Sequence, residues 1–158
     1  MKPPAWRQDR ALYPHSVRVQ TRYHDEDRLG HVNNIAVAAY YDEARSQLMR
    51  RTFELTKGLT GVRIVTADVR VSYMGEVFHP GDVEVASGIL RIGNSSWEIG
   101  QTMFQNDRCV GVCSTVLVQA SAAGAGAIVP ELRAALEQLL IVAPSPNPTR
   151  PPASPAPD

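Results

Sequence analysis

The sequence lacks the features that mark membrane proteins and nucleic-acid-binding proteins. No apolar run approaches the roughly 20 residues that a membrane-spanning helix needs. Lysine and arginine together number 16, as do aspartate and glutamate, so the formal net charge is +0 and there is no basic excess for binding nucleic acid. The first residues also lack the apolar core of a signal peptide. We therefore expect a soluble cytoplasmic protein that binds neither membranes nor nucleic acid.

Cysteine and metal-ligand clusters are also scarce. The two cysteines, Cys109 and Cys113, fall in one strand-like run, where four residues of extended chain separate their Cα atoms by roughly 13 Å. A disulfide needs about 7 Å or less, so we interpret both as buried thiols that pack as small apolar groups, with reactive thiols as the alternative. The histidines have no recognisable ligand spacing, so we expect no metal and no other cofactor. They are His15, His24, His31 and His79.

The length of 158 residues suits one domain with its own core. Residues 1–13 are rich in proline and charge, which predicts a loosely ordered N-terminal arm. Residues 143–158 are mostly proline, alanine and serine, and such a segment cannot bury enough apolar surface to fold. We therefore predict one folded domain over residues 14–142, followed by a disordered Pro-rich tail.

Hydrophobic periodicity predicts one strand, a long helix, four more strands and a short helix. Alternation over residues 16–23 indicates the first strand. Apolar residues then recur at helical spacing from Asn33 or Asn34 to near Gly58, a suitable helix-ending residue. The period next changes to two, and Pro130 begins the closing helix. An antiparallel sheet wrapped around one long central helix, an α+β fold, satisfies this order. The apolar stripe of the long helix is formed by Val37, Tyr41, Ala44 and Leu48.

The densest polar cluster precedes the long helix, in the run Asp25-Glu26-Asp27-Arg28-Leu29-Gly30-His31-Val32-Asn33-Asn34. Acidic residues, a glycine turn and a helix start follow one another, which indicates a site built on the positive end of the helix dipole. One of the two asparagines is expected to cap the helix. Spacing alone, however, favours ordinary turn-forming roles for Asp25 and Asp27.

This run, continued by Tyr40-Tyr41-Asp42-Glu43-Ala44-Arg45, resembles the hotdog-fold acyl-CoA thioesterases of the 4-hydroxybenzoyl-CoA thioesterase type. That family shows an acidic pair one residue apart, a Gly-His-Val-Asn-Asn run and an aromatic-rich helix with Glu-Ala-Arg. A weaker similarity involves Val71-Ser72-Tyr73-Met74 and the turn Pro80-Gly81-Asp82, and the resemblance covers residues 16–121. It implies the hotdog fold, thioester hydrolysis, and a homodimer or dimer of dimers with active sites at the subunit seam.

Two positions depart from the family pattern. Val37 stands where many relatives carry tyrosine, and Gly75-Glu76 stands where they have an Arg-Pro pair. Neither position touches the acidic pair, but both bear on the acyl pocket. They affect the choice of substrate more than the type of reaction.

The resemblance implies that Asp27 is the catalytic carboxylate, acting as nucleophile or general base. Free amides around Asn33 and Asn34 would polarise the thioester carbonyl, which makes Asn34 the second catalytic residue. We expect Asp25 to be structural, and Glu43 to pair with an arginine, although Glu43 is also the alternative catalytic carboxylate. The residues implied in substrate binding are Tyr23, Gly30, His31 and Asn33, and for each of these packing, turn formation or capping is the alternative role.

The expected partner is an acyl-CoA substrate. Two alternatives from other functional classes stay open: a non-catalytic hotdog module that binds acyl thioesters, and a hotdog dehydratase that removes water from a hydroxyacyl thioester. The intact acidic pair argues against the module, and such dehydratases arrange a histidine and an aspartate differently. The sequence leaves open the acyl group and the choice between CoA and a carrier protein.

Overall fold

The computed structural model of the chain describes residues 3–56, 60–121 and 124–144. The predicted order of a strand, a long helix, four strands and a short helix is confirmed, with one two-residue strand added. The elements are β1 (His15–Gln20), α1 (Asn34–Leu55), β2 (Arg63–Tyr73), β3 (Asp82–Ile92), β4 (Ser96–Gln105), β5 (Arg108–Ser121), β6 (Gly124–Ala125) and α2 (Pro130–Glu137). Gly58, the predicted end of the helix, and the predicted tail beyond residue 144 lie outside the described residues.

Five strands form one antiparallel sheet in the order β1-β3-β4-β5-β2, and β6 pairs with the end of β5. Register shifts between Thr66 and Asp68, Ile89 and Arg91, and Met103 and Phe104 interrupt the ladders, and such bulges bend and twist a sheet. The sheet curls around α1, which packs against its concave inner face. The predicted α+β hotdog fold, an antiparallel sheet around one central helix, is confirmed.

The first strand is shorter than predicted. Alternation indicates residues 16–23, but β1 ends at Gln20, and Tyr23–Asp25 form a short 3-10 helix. The partner strand explains the difference, because Gln20 lies opposite Asp82, the first residue of β3. Residues after Thr21 have no strand to pair with. Side-chain alternation reports which face a residue occupies, but it does not report where the neighbouring strand begins.

The apolar stripe of α1 fills the concave face of the sheet, as predicted. All four of its side chains are buried, together with Tyr40 and Thr52. The first half of the helix packs against β3, β4 and β5, where Cys113 is buried, and the second half packs against the same sheet and α2. Both cysteine thiols are free, but Cys109 is only half-buried.

The N-terminal arm is more ordered than its composition predicts. Ala5–Gln8 and Arg10–Leu12 form 3-10 helices against the convex outer face of the sheet. Arg7 is only 8% exposed, and its guanidinium donates to the Cys113 carbonyl (2.7 Å) and to the hydroxyls of Ser114 (3.1 Å) and Tyr13 (3.2 Å). Composition identifies a polar segment, whereas these specific acceptors on β5 hold it in place.

Candidate active site

The polar run of the sequence forms the compact loop between β1 and α1. The Asp27 N–H donates to the His31 carbonyl (3.0 Å), and the Gly30 N–H donates to the Asp27 carbonyl (3.2 Å). Gly30 has a φ of +81°, a conformation that glycine adopts without strain. The Val32 N–H donates to the Val77 carbonyl (2.7 Å), so the segment after β2 holds the loop in place.

Asp25 ties this loop to the helix. Its carboxylate accepts hydrogen bonds from the Tyr40 hydroxyl (2.5 Å) and the Arg22 backbone N–H (3.2 Å). Its backbone carbonyl accepts the Asn33 N–H at 2.7 Å. The hydrogen bond from Tyr40 is the main cause that lowers the pKa of Asp25, and the nearby charge of Arg22 adds to it. These contacts are those of a residue that shapes the turn.

Replacing Tyr40 by phenylalanine is expected to reduce the free energy of unfolding by about 1–3 kcal/mol near neutral pH, because the half-buried Asp25 carboxylate loses a donor. The pKa of Asp25 is lowered from 3.8 in the folded protein, so this stabilisation is present above the unfolded-state pKa. It is lost as the pH falls through the lower folded-state pKa. Urea unfolding of both proteins, near neutral pH and at about pH 2.5, measures the difference.

Tyr41→Phe is the matched control, because the Tyr41 hydroxyl is buried without a hydrogen-bond partner among the described residues. Its removal is expected to leave stability unchanged or slightly higher. If Tyr40→Phe cost the same at both pH values, lost packing would be the cause, and the contribution of the Asp25 carboxylate would be contradicted.

The Asp27 carboxylate points toward His31. One oxygen, Oδ1, accepts the Leu29 N–H at 2.8 Å, and Oδ2 lies 3.5 Å from His31 Nδ1. The other ring nitrogen, Nε2, is 3.9 Å from a carboxylate oxygen of Glu76. The Asp27 and His31 side chains are 24% and 25% exposed, so both are accessible from solvent. Asp27 therefore combines a turn-forming hydrogen bond with an oxygen that faces a reachable cleft.

This cleft has a volume of about 340 Å³ and brings together three of the predicted site residues, Asp27, His31 and Asn34. Tyr73 also lines it and donates its hydroxyl to the Asn34 carbonyl (3.2 Å), and Glu76 completes its polar lining. The apolar part of the lining consists of Leu29, Val32, Val37 and Val77. The cleft thus joins a carboxylate, the start of a helix and an apolar wall.

The amides at the start of α1 divide into occupied and free groups. The Asn33 N–H donates to the Asp25 carbonyl, and the Ile35 N–H donates to Oδ1 of Asn33, the capping residue (2.8 Å). The N–H groups of Asn34 and Ala36 have no acceptor among the described residues. The prediction that the Asn33 amide is free is therefore wrong, because Asp25 already accepts its hydrogen.

Tyr23 and Glu43 lie away from this cleft. Tyr23 is 73% exposed, and its ring meets those of His24 and His79 edge-on, so it makes no contact that would orient Asp27. Glu43 lines a separate groove beside β1 and accepts a hydrogen bond from Gln47 (2.8 Å). The prediction that Glu43 pairs with an arginine is wrong for the described residues: the partner of Glu43 is Gln47, and Arg45 pairs with Asp42 instead.

Sequence reasoning missed Tyr73, Glu76 and Val77 as neighbours of the site. The strand pattern includes Tyr73, and Glu76 is one of the departures from the family pattern, but neither signal indicates contact with a loop about forty residues earlier. The Val32–Val77 backbone hydrogen bond creates this contact.

Within residues 3–56, 60–121 and 124–144, no three His, Cys, Asp or Glu side chains are grouped to hold a metal ion. No helix in this part of the chain is long and apolar enough to cross a membrane.

A model of the thioesterase-like superfamily matches residues 21–143. No curated protein matches the sequence. Among solved structures, a protein from Pseudomonas aeruginosa strain PAO1 is 28% identical with a TM-score of 0.75, and the alignment covers 85% of this chain and 97% of that one. A predicted thioesterase from Bacillus stearothermophilus is 25% identical (TM-score 0.71, coverage 79% and 95%). A thioesterase from Thermus thermophilus, solved in complex with coenzyme A and zinc, is 27% identical (TM-score 0.71, coverage 80% and 95%).

Proposed function

Because the chain belongs to the thioesterase-like superfamily and is a thioester hydrolase, we propose that its substrate is an acyl-CoA. Asp27 is the nucleophile or general base, and the free amide of Asn34 stabilises the oxyanion. One observation carries this proposal: the Asp27 carboxylate and Asn34, whose N–H has no acceptor among the described residues, line the same cleft. Thioester hydrolysis needs a nucleophile or general base and a donor to the oxyanion, and a carboxylate and an unpaired helix amide can fill these two roles.

In the general-base route, Asp27 removes a proton from water while the water oxygen attacks the thioester carbonyl carbon. The carbonyl oxygen becomes an oxyanion, and the Asn34 N–H, at the positive end of α1, stabilises its charge. Collapse of the tetrahedral intermediate breaks the carbon–sulfur bond. The departing thiolate takes the proton back from Asp27, leaving a free acid and CoA.

In the nucleophilic route, an Asp27 oxygen attacks the same carbon and expels the CoA thiolate. The product is a mixed anhydride between Asp27 and the acyl group, which water then hydrolyses. The exposure of Asp27 permits both routes, since the carboxylate is accessible to water and to substrate. In either route His31, 3.5 Å from Asp27 Oδ2, orients the carboxylate from the side opposite the turn hydrogen bond to Leu29.

The apolar lining of the cleft suits an acyl chain, and the bound coenzyme A of the Thermus thermophilus neighbour supports CoA as the thiol. The test is a hydrolysis screen over acyl-CoAs of varied length and type, with acyl carrier protein thioesters alongside, read by thiol release. We expect release of CoA from at least one acyl-CoA class. Binding without thiol release would favour the non-catalytic module, and loss of water with retention of CoA would favour the dehydratase.

We also propose that two copies pair along β2 to form a homodimer, either alone or within a dimer of dimers. β2 is an edge strand of the sheet and is 11 residues long. One side of its backbone pairs with β5, and in the described part of the chain the other side has no partner strand. Val69 and Tyr73 are each 50% exposed, although they lie opposite buried positions of β5 on the concave side. An edge of this length that also exposes Val65, Val69 and Tyr73 is a surface that a second copy would cover.

Replacing Val69 by lysine is expected to convert the dimer to monomer, because a charge would be buried at the centre of the paired edges. Light scattering after size-exclusion chromatography measures the molar mass at several protein concentrations. Val142→Lys is the matched control, since Val142 is 80% exposed near the end of the described chain. A Val69→Lys protein with the mass of the wild type would contradict pairing through β2.

A further inference from the structure

We infer that Glu76 makes the cleft select neutral acyl groups over acyl groups that end in a carboxylate. The inference rests on the proposed acyl-CoA hydrolysis and extends it to the class of acyl chain. Glu76 follows the end of β2 and lines the same cleft as Asp27. Its side chain is 64% exposed, so it stands at the mouth of the cleft.

The charges of the cleft carry the argument. Within one copy of the chain, its lining contains two acidic side chains, Asp27 and Glu76, and neither lysine nor arginine. The imidazole of His31 lies between them, 3.5 Å from one carboxylate and 3.9 Å from the other. A single imidazole carries at most one positive charge, so two carboxylates outweigh it in either protonation state. A negatively charged acyl terminus entering this cleft meets repulsion.

One arginine, Arg108, approaches the lining of the cleft without being part of it. Arg108, the first residue of β5, packs against Gly75, where a Cβ atom would lie 3.5 Å from the guanidinium. Arg108 makes no ion pair with Glu76 among the described residues, and it does not line the cleft. Among the described residues, the ion-pair contact of Glu76 is the 3.9 Å approach to His31, so its carboxylate stays unpaired with arginine or lysine at the edge of the cleft.

The apolar residues of the cleft explain why a neutral acyl group can bind there. Val32, Val37 and Val77 are at most 5% exposed and form an apolar floor. An alkyl or aryl group gains free energy by covering such a floor. A terminal carboxylate loses hydration there, and the lining offers neither lysine nor arginine to replace it. The apolar floor and the Glu76 carboxylate at the mouth therefore both favour neutral acyl groups over acyl groups that end in a carboxylate.

The test compares two substrates that differ only at the end of the acyl chain, hexanoyl-CoA and adipoyl-CoA. Both substrates carry the same CoA, so the effect of the CoA phosphate charges cancels in the ratio of the two kcat/KM values. We expect the wild type to prefer hexanoyl-CoA, and Glu76→Gln, which keeps the shape but removes the charge, to narrow the ratio roughly three- to tenfold. That is the effect of two unit charges about 6 Å apart at a solvent-exposed site.

Two further measurements separate charge from shape. High salt should narrow the preference of the wild type but leave that of Glu76→Gln nearly unchanged, because salt screens exposed charges. Glu131→Gln on the exposed start of α2 is the matched control and should keep the wild-type ratio. A Glu76→Gln ratio equal to the wild-type ratio would overturn this inference while leaving the proposed hydrolysis intact. Failure of the wild type to hydrolyse any acyl-CoA would overturn the proposed function and this inference with it.

Discussion

Replacing Asp27 by asparagine is expected to lower kcat/KM for acyl-CoA hydrolysis by at least about 100-fold, the usual effect of losing a general base. Asparagine has nearly the same shape, and its amide oxygen can still accept the Leu29 N–H that Asp27 Oδ1 accepts at 2.8 Å. The loop should therefore keep its conformation while losing the group that takes a proton or attacks the thioester. Steady-state kinetics with the best substrate of the hydrolysis screen measures the loss.

Asp107→Asn is the matched control for this substitution. Asp107 lies in the β4–β5 turn with a 93% exposed side chain, and its φ of +61° is one that asparagine adopts readily. The control should keep wild-type kinetics, and both variants should unfold at the wild-type temperature. If Asp27→Asn kept the wild-type rate, the role of Asp27 would be wrong, and Glu43 would be the next carboxylate to replace.

Oxygen isotopes distinguish the two proposed routes through Asp27. In a single turnover in H₂¹⁸O, the general-base route places the label in the released acid and none in the protein. The nucleophilic route, with water attacking the aspartyl carbon of the anhydride, places the label in Asp27 itself. Mass spectrometry of the peptide that contains Asp27 reads the result directly.

Replacing Leu48 by alanine is expected to lower the free energy of unfolding by about 2–5 kcal/mol, the cost of a cavity in a packed core. Leu48 is fully buried at the centre of α1, between the concave face of the sheet and α2. For a chain of this length the melting temperature should fall by roughly 5–15 °C. Melting curves recorded at one protein concentration measure the shift, because association would make the melting temperature depend on concentration.

The same change at Leu55 is the control, since Leu55 ends the same helix and is 37% exposed. Leu55→Ala should cost less than about 1 kcal/mol, as surface substitutions usually do. Below its melting temperature, Leu48→Ala should keep the kinetics of the wild type, because Leu48 and the Asp27 cleft belong to different parts of the core. Equal costs at the two positions would contradict the central packing of α1.

The sequence predicts those parts of the fold whose physics is local. A stripe of four apolar side chains identifies the buried face of α1, and Asn33 is the N-cap because its side chain can accept the Ile35 N–H. Alternation and turn residues identify the four strands after α1, but not their pairing: β3, β4 and β5 are neighbours in sequence and in the sheet, whereas β2 pairs with β5. The acidic run and the glycine identify the site loop, since a turn with positive φ requires glycine at position 30.

The remainder depends on contacts between distant segments. The Asp25 carbonyl accepts the Asn33 N–H, which leaves Asn34 as the one of the two asparagines with a free amide. No local sequence pattern indicates this hydrogen bond. Tyr73 and Glu76 reach the cleft because the chain after β2 pairs with Val32. The buried Arg7 orders the N-terminal arm through acceptors on β5, more than one hundred residues away in sequence. Local pattern and composition do not identify the distant partner of any of these segments.

The strand order has a consequence for how the chain is made. α1 leaves the ribosome before β3, β4 and β5, the strands whose concave face covers its apolar stripe. A nascent chain that ends within β4 therefore exposes Tyr41 and Leu48 to solvent or to a chaperone. The loop that contains Asp27 likewise cannot form its Val32–Val77 backbone hydrogen bond until Val77 has been made. The candidate site can thus reach its geometry only after Val77, about halfway along the chain of 158 residues, has been translated, although the loop itself is among the first segments made.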